Sequence, residues 1–265
     1  MEKSKKSLGQ NFLLNKEKIK EIVGALDIKS GDVVVEIGPG HGELTKELIT
    51  NDKLRIIAIE KDEGLVEKLG DEMKKHGDKI EIIAGDALKM LPDVVSGYGS
   101  KTSYKLIGNI PYYITGFLLR TISELEHKPK ITVLTVQKEV AKRICGEMNL
   151  LSASVRYWAE PEIIGIIPKS DFSPQPKVDS AIIRLKTINK KRETGDEAKS
   201  AENYHKFIKI LFKQPRKTIL NNLLGMGKNK VEIEKILKEN SIDHNSRAQN
   251  LNVSQIRELA RIFTA

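Results

Sequence analysis

The sequence has a single cysteine, Cys145, among its 265 residues, so no disulfide can form within the chain. The five histidines are scattered, and none belongs to a paired-cysteine or His-x-x-x-His pattern. Zinc enzymes that deaminate bases need such a ligand set, so we expect no metal site. Residues 140–145 have a helical pattern, and we interpret Cys145 as a buried apolar side chain.

Long apolar segments are also absent from the sequence. No run of apolar residues is long enough to span a bilayer, and the basic start at Met1 is not followed by an apolar signal core. We therefore expect a soluble, cytoplasmic protein that does not associate with membranes.

Positive charge is in excess. Lysine and arginine number 45 against 36 aspartates and glutamates, which gives a formal net charge of +9 and a pI of about 9.3. Such an excess favours a polyanionic partner, with nucleic acid ahead of a membrane surface. Many soluble proteins are basic, however, so the identity of the partner depends on motifs.

The first half of the chain alternates apolar, β-branched runs with helix-patterned segments. This predicts an α/β, Rossmann-like fold with a mostly parallel sheet. Two further strand-like runs are separated by a proline-containing loop and predict an antiparallel pair at the edge of the sheet. The predicted strands are residues 32–38, 55–60, 79–84, 104–108, 131–136, 162–167 and 180–185.

The last quarter of the chain has a different pattern. Residues 189–203 are polar and charged and predict a linker between a domain at 1–188 and a small all-helical domain at 204–265. Four helices are expected in that domain, the last of which begins with Ser254 as its N-cap.

A glycine-rich loop follows the first predicted strand. Gly38, Gly40 and Gly42 occupy alternate positions just before a helix-patterned segment, where glycine lets the backbone approach a ligand closely. The spacing differs from the Gly-x-Gly-x-x-Gly of dinucleotide sites. It suits a nucleoside that carries an amino acid and has no pyrophosphate.

Acidic residues end the next two predicted strands. Glu60 is suited to accept both hydroxyls of a ribose, and Asp86, followed by Ala87, is suited to accept a hydrogen bond from an adenine amine. An exposed strand-end glutamate and a helix N-cap are the simpler alternatives. Because ligands bind at the carboxyl edge of open α/β sheets, the loop and the two acids together favour a cofactor site.

The segment Asn109-Ile110-Pro111-Tyr112 follows the fourth predicted strand at the same edge. The lone pair of an adenine amine is delocalised into the ring, so methyl transfer to it needs hydrogen-bond acceptors close to the amine hydrogens. The side-chain oxygen of Asn109 and the backbone carbonyl of Ile110 are candidates. Pro111 stiffens the turn, and Tyr112 offers a ring for base stacking. A half-buried tyrosine in a proline turn is the alternative.

Phe172 is a second aromatic candidate for this site. It precedes two prolines, in Phe172-Ser-Pro-Gln-Pro176, and is therefore on a stiff loop. Two interpretations are open. Phe172 packs on the face of an extruded base opposite Tyr112, or it is an ordinary core phenylalanine.

Several of these motifs occur together in one protein family. The chain closely resembles the ribosomal RNA small-subunit adenine dimethyltransferases, which share the order and spacing of the motifs. The matching segments are residues 8–13, 36–40, 85–88, 109–112, 137–140, 172–180 and 216–218. The sequence departs from the usual family pattern at Tyr113-Ile-Thr-Gly-Phe117, beside the expected base site.

The resemblance implies a class I methyltransferase domain with S-adenosyl-L-methionine as methyl donor. It implies N6-dimethylation of two adjacent adenosines near the 3′ end of 16S small-subunit rRNA, within an assembling ribosomal subunit, and hence a role in ribosome biogenesis. We expect a monomer. The residues implied to bind the cofactor are Asn11, Leu13, Gly38, Gly40, Glu60, Asp86, Ala87 and Asn109.

Basic residues of the helical tail are candidates for holding the rRNA. A solvated helix face explains their charges as well. These residues are Lys206, Lys209, Lys213, Arg216 and Lys217.

Three other functions compete with small-subunit dimethylation. One is resistance-type methylation of an adenosine in 23S rRNA, against which residues 137–140 and 172–180 count. The second is a non-catalytic RNA-binding assembly or transcription factor, which has no need of Gly38, Glu60, Asp86 and Asn109. The third is a small-molecule methyltransferase, which leaves the basic charge and the helical tail unexplained.

Overall fold

The computed structural model describes residues 10–51, 54–98, 103–188 and 197–264. These residues form two compact units, one drawn from Met1–Lys142 and Glu160–Thr187, and the other from Arg143–Ala159 and Ile188–Ala265. Among the residues so described, no helix is long and apolar enough to cross a membrane.

The first unit is built on a seven-stranded sheet with the spatial order β4-β3-β2-β5-β6-β9-β7. Strands β2 to β6 are parallel, and β9 runs antiparallel to β6. The expected mostly parallel sheet is confirmed, with β9 and β7 added at one edge. The strands are β2 (Val33–Ile37), β3 (Arg55–Glu60), β4 (Ile80–Ala84), β5 (Tyr104–Gly108), β6 (Ile131–Gln137), β7 (Ala159–Ile167) and β9 (Ser180–Thr187).

A separate two-stranded sheet joins distant parts of the first unit. Its strands are β1 (Phe12–Leu13) and β8 (Phe172–Ser173), which are antiparallel. The helices of this unit are α1 (Lys16–Gly24), α2 (Glu43–Leu48), α3 (Glu63–Met73), α4 (Ala87–Ser96), α5 (Thr115–Glu124) and α6 (Lys138–Cys145), of which residues 138–142 are in this unit.

The central strands are continuous apolar runs because they are covered on both faces. Every residue of β2 and of β5 is buried, as expected for parallel strands in the middle of an α/β sheet. Residues of β2, β3 and β5 pack with α1 and α2 in one hydrophobic core. The sheet therefore holds the loops at its carboxyl edge on a rigid base.

The second unit is all-helical and has its own core. Phe207, Leu211, Ile233 and Ile256 are completely buried in it. Its helices are α7 (Leu150–Arg156), α8 (Glu197–Leu211), α9 (Ile219–Leu223), α10 (Lys230–Glu239) and α11 (Val253–Phe263).

The boundaries of the second unit differ from the predicted ones. Residues 143–159 belong to it, because the ring of Tyr157 stacks on that of Tyr204 at 4.2 Å and the guanidinium of Arg257 lies over Tyr157 at 5.3 Å. Residues 197–203, predicted as linker, are the first turns of α8, which packs against α7 and α11. The rest of the predicted linker, residues 189–196, lies outside the described residues, as do residues 8 and 9 of the first motif.

Two local predictions about helices are wrong. Helix α11 is capped by Asn252, whose side chain accepts from the Gln255 amide while Gln255 accepts from the Asn252 amide, so Ser254 lies inside the helix. Cys145, expected to be buried, is partly exposed at the end of α6.

Candidate active site

A cavity of about 310 Å³ lies at the carboxyl edge of the parallel strands, within the range of small-molecule sites. Every residue predicted for catalysis or cofactor binding lines it. These residues are Asn11, Leu13, Gly38, Gly40, Glu60, Asp86, Ala87, Asn109, Ile110, Pro111, Tyr112 and Phe172. Strands β2, β3, β4 and β5 each end at this cavity, which is why residues far apart in sequence meet there.

The glycine loop after β2 forms the floor of the cavity. Gly38, Gly40 and Gly42 have φ of +66°, +61° and +80°, a backbone conformation that favours glycine. A Cβ at Gly40 would lie 3.0 Å from the Phe12 ring. The loop is therefore limited to glycine at this point both by its backbone and by the packing of the N-terminal segment on it.

Glu60 is fixed by its own backbone surroundings. One carboxylate oxygen accepts from the amides of Lys61 at 2.8 Å and Asp62 at 2.9 Å, and the other accepts from the Gly40 amide at 3.1 Å. The side chain is 5% exposed, so the alternative of an ordinary exposed glutamate does not apply. The carboxylate joins the end of β3 to the glycine loop.

Asp86 combines two roles. Its Oδ1 accepts from the amide of Leu88 at 3.0 Å, so it caps α4, in which Ala87 is the first residue. Its Oδ2 pairs with Lys61 Nζ at 2.8 Å. Hydrogen bonding to Lys61 is the main reason why the pKa of Asp86 lies below its ordinary value. The N-cap alternative is thus correct, and the carboxylate lines the cavity as well.

The N-terminal segment forms one wall of the cavity. The β1–β8 pairing places Leu13 opposite Phe172, and the Leu14 amide donates to the Asp171 carbonyl at 2.8 Å. The Phe12 ring lies 4.1 Å from the ring of His41 in the glycine loop. This segment therefore covers this edge of the sheet through pairing with residues about 160 positions away in sequence.

Asn109 is oriented by that same segment. Its Nδ2 donates to the backbone carbonyl of Asn11 at 3.0 Å, and its Oδ1 has no partner among the residues the structure describes. Just before it, a Cβ at Gly108 would lie 2.8 Å from the carbonyl oxygen of Ile37, so glycine keeps the ends of β5 and β2 close together. The result is an acceptor oxygen at the cavity, held by an anchored amide.

Tyr112 begins a short 3-10 helix, Tyr112–Ile114. Its hydroxyl hydrogen-bonds to the Ser180 hydroxyl at 2.6 Å, which ties this turn to the start of β9. Burial raises the pKa of Tyr112 above its ordinary value. The phenol is therefore neutral near pH 7, and its ring is held in place at the cavity.

Phe172 satisfies parts of both interpretations. The side chain is only 4% exposed and packs in the main hydrophobic core, and it also lines the cavity.

Two aromatic side chains that were not predicted from the sequence are far more accessible. Tyr113 and Phe117 line the same cavity with 58% and 65% exposure, one helical turn apart. The four-residue spacing of two aromatics beside the Asn109 motif was the available signal.

Glu36 is a further cavity residue that the sequence reasoning missed. It is 1% exposed; its Oε2 accepts from the Thr45 hydroxyl at 2.7 Å, and its Oε1 is buried without a hydrogen-bond partner in the described parts of the chain. Burial raises the pKa of Glu36 to about 8. A ligand that carries a positive charge or a hydrogen-bond donor fits such a site, because it would satisfy the unpartnered oxygen.

Within the described residues, no group of three or more His, Cys, Asp or Glu side chains is arranged to hold a metal ion. The five basic residues predicted to hold RNA are in the second unit, where all are exposed and Lys206 pairs with Glu202 at 2.7 Å.

Comparison with known proteins agrees with this geometry. The model of the ribosomal RNA adenine dimethylase family matches residues 1–264. A ribosomal RNA small subunit methyltransferase A from Dehalococcoides mccartyi is 37% identical, over 97% of this chain and 87% of that protein. One of the same name from Clostridioides difficile is 36% identical, over 98% of this chain and 91% of that protein.

Two solved structures share the fold. A dimethyladenosine transferase from Plasmodium falciparum superimposes with a TM-score of 0.78 at 24% identity, over 95% of this chain and 97% of that one. The 23S rRNA methyltransferase ErmE superimposes with a TM-score of 0.72 at 23% identity, over 96% of this chain and all of that one. With its sequence matched along nearly the whole length, the chain belongs to the ribosomal RNA adenine dimethylase family.

Proposed function

We propose that this protein transfers methyl groups from S-adenosyl-L-methionine to the N6 atoms of two adjacent adenosines near the 3′ end of small-subunit rRNA, in an assembling ribosomal subunit in the cytoplasm. The observation that carries the proposal is that Asn109–Tyr112 line the same cavity as Gly40 and Glu60. Methyl donor and acceptor amine must meet in one place, and this cavity holds residues suited to each. Family membership supports the RNA substrate.

The glycine loop and the two acids hold the cofactor. When bound, S-adenosyl-L-methionine supplies a methyl group on a positively charged sulfur. Asp86 would accept a hydrogen bond from its adenine amine, and Glu60 would accept hydrogen bonds from its ribose hydroxyls. A carboxylate has about four lone-pair positions, and Glu60 already uses three on backbone amides. The two hydroxyls therefore share the acceptor capacity that remains.

Asn109 prepares the target amine for attack. Its Oδ1 and the Ile110 carbonyl oxygen accept hydrogen bonds from the amine. These bonds reduce the delocalisation of the nitrogen lone pair into the adenine ring. The Asn109 side chain is already held by the Asn11 carbonyl, so it needs no reorganisation when the base arrives. Neutral Tyr112 provides the ring face for the base. No strong base is required, since the amine becomes acidic once methylated and releases its proton to solvent.

The helical unit holds the rRNA through exposed cations. Replacing Lys209, Lys213, Arg216 and Lys217 together with alanine should weaken rRNA binding and lower the slope of log K against log salt by about one for each phosphate that the variant no longer neutralises. Lys238→Ala is the control, because Lys238 is also exposed, on α10, and its replacement should leave the slope unchanged. An unchanged slope in the quadruple variant would show that these side chains are merely solvated.

The function is tested by methylation of undermethylated subunits. Purified small and large ribosomal subunits are incubated with the protein and methyl-labelled cofactor, and the product nucleosides are mapped. Label as N6,N6-dimethyladenosine in the small subunit alone is the expected result. Label in the large subunit would instead support the resistance-type reaction, and binding without label would support an RNA-binding factor.

A further inference from the structure

A second, more open cavity adjoins the active-site cavity. Asn11, Tyr112 and Tyr113 line both, so these side chains form the wall between the two. The second cavity is completed by Gln137, Pro176 and Lys177, none of which has a part in the methyl transfer proposed above.

The position of Gln137 is set by the sheet. It ends β6 and lies opposite Ser180 of β9, the residue whose hydroxyl holds Tyr112. Gln137 is thus the direct cross-strand neighbour of the residue that holds the Tyr112 ring in place. Its side chain is partly buried, and its amide makes no hydrogen bond within the described residues. Both a donor and an acceptor remain available at the cavity.

The position of Lys177 is set by the loop before β9. Asp179 fastens this loop, because its carbonyl accepts from the Lys138 amide at 3.0 Å and its Oδ1 accepts from the Lys169 amide at 3.1 Å. Asp179 also pairs with Lys138 Nζ at 3.5 Å. Two residues earlier, Lys177 is exposed, and no ion pair engages it in the part of the chain the structure describes. It is a cation available to a ligand.

We propose that the second cavity takes the nucleotide next to the target adenosine, with Gln137 on the edge of an adenine and Lys177 on the phosphate that joins the two nucleotides. This rests on the function proposed above. A target base in the first cavity is covalently joined to its neighbour, so the neighbour must lie beside the shared wall. Tyr113, 58% exposed on that wall, offers it a ring face.

The base preference follows from the chemistry of an amide. A glutamine side chain donates and accepts side by side, which matches the N6 donor and N7 acceptor of adenine. Guanine presents two acceptors at that edge, and one of them would face the amide oxygen. Lysine contributes a point charge to the phosphate, with no dependence on the base.

The test compares RNA substrates and protein variants in the same assay. Small subunits are reconstituted with rRNA in which either nucleotide flanking one mapped target adenosine is adenosine or guanosine, and kcat/KM is measured for methyl transfer to that unchanged target alone. We expect the wild type to prefer adenosine by roughly tenfold on one side. In Gln137→Ala and Gln137→Met, which lack the paired donor and acceptor, this preference should fall to within about twofold. Gln175→Ala is the control, because Gln175 is exposed on the same loop and lines neither cavity.

Lys177 should give a different kinetic pattern. Lys177→Ala should raise KM for the particle severalfold and lower the salt slope by about one, with the base preference intact. Lys177→Arg should restore KM. Lys75→Ala should change nothing, because Lys75 is exposed and lines neither cavity.

Two outcomes would overturn the assignment while leaving the proposed function in place. One is methylation by the wild type that is indifferent to both flanking bases. The other is an unchanged preference in the folded Gln137 variants, with folding checked by thermal unfolding. Absence of methylation on all particles would contradict the proposed function itself.

Discussion

Replacement of Glu36 with glutamine should make the first unit more stable, and by a larger margin at pH 7.5 than at pH 5.5. The carboxyl group is buried, and its pKa is raised by burial from an ordinary 4.5 to about 8. The folded chain therefore binds a proton that the unfolded chain has lost over this range. Stability from this group is fully present below about pH 4.5 and is lost as the pH rises through about 8.

The magnitude follows from proton linkage. One proton taken up on folding changes the free energy of unfolding by up to about 1.4 kcal/mol per pH unit. Between pH 5.5 and 7.5 the wild type should thus lose up to about 3 kcal/mol that the glutamine variant keeps. Glutamine is close in shape to the neutral acid and can keep the hydrogen bond from Thr45, so the two proteins should agree below about pH 4.5 and differ by about 1 kcal/mol at pH 5.5.

The assay must report on the first unit. The single tryptophan, Trp158, is in the helical unit, so its fluorescence would follow the wrong transition. Hydrogen exchange of peptides that cover β2 and β3 avoids this difficulty. Comparing wild type and variant at one pH cancels the chemical exchange rate, and the ratio of protection factors gives the stability difference.

The comparison has a matched control. Glu67 is an exposed glutamate on α3 of the same unit, and Glu67→Gln should give the same stability difference from wild type at both pH values. A Glu36→Gln difference that is equally insensitive to pH would refute the reasoning, because it would mean that Glu36 is ionised in the folded protein throughout the range.

Three further predictions concern the cavity. Because a cationic ligand favours the ionised form of Glu36, cofactor binding at pH 7 should release up to one proton. Calorimetry in buffers of different ionisation enthalpy measures this release. If no proton is released, Glu36 does not interact with the ligand. Asn109→Ala should lower kcat by about a hundredfold or more while cofactor affinity changes less, and full activity would end its proposed role. Tyr113→Ala and Phe117→Ala should each raise KM for the RNA particle severalfold, with cofactor affinity measured as the control. If cofactor affinity falls by the same factor as the apparent affinity for the particle, the two rings have a structural role instead.

Much of the first unit is predictable because its strands are buried on both faces. Strand β3 begins and ends at the predicted residues, and β2 and β5 are wholly buried, as a continuous apolar run predicts. Loops at the ends of parallel strands meet at one edge by topology alone, so their convergence follows once the strands are known. This explains why residues from four separate loops could be assigned to one cavity.

What the sequence did not predict depends on contacts between distant segments. The β1–β8 pairing is two residues long on each side, too short to show any periodicity, and it joins Leu13 to Phe172. The inclusion of residues 143–159 in the helical unit depends on the stacking of Tyr157 on Tyr204. Helices α1 and α7 were missed, although Asn15 and Asn149 are N-caps of the usual kind.

The two sides of the cavity differ in how firmly their residues are tied to the sheet, and this difference affects specificity. The side that we propose for the cofactor consists of backbone amides and a buried carboxylate, Glu60, which accepts three hydrogen bonds at the end of β3. Changing any of these would disturb the sheet edge itself. The side that we propose for the base is a 3-10 turn, where the Tyr112 hydroxyl is hydrogen-bonded to Ser180, followed by the exposed rings of Tyr113 and Phe117. Substitutions of these two exposed rings should cost little stability, so we expect that the choice of target base can change while the proposed cofactor side stays the same.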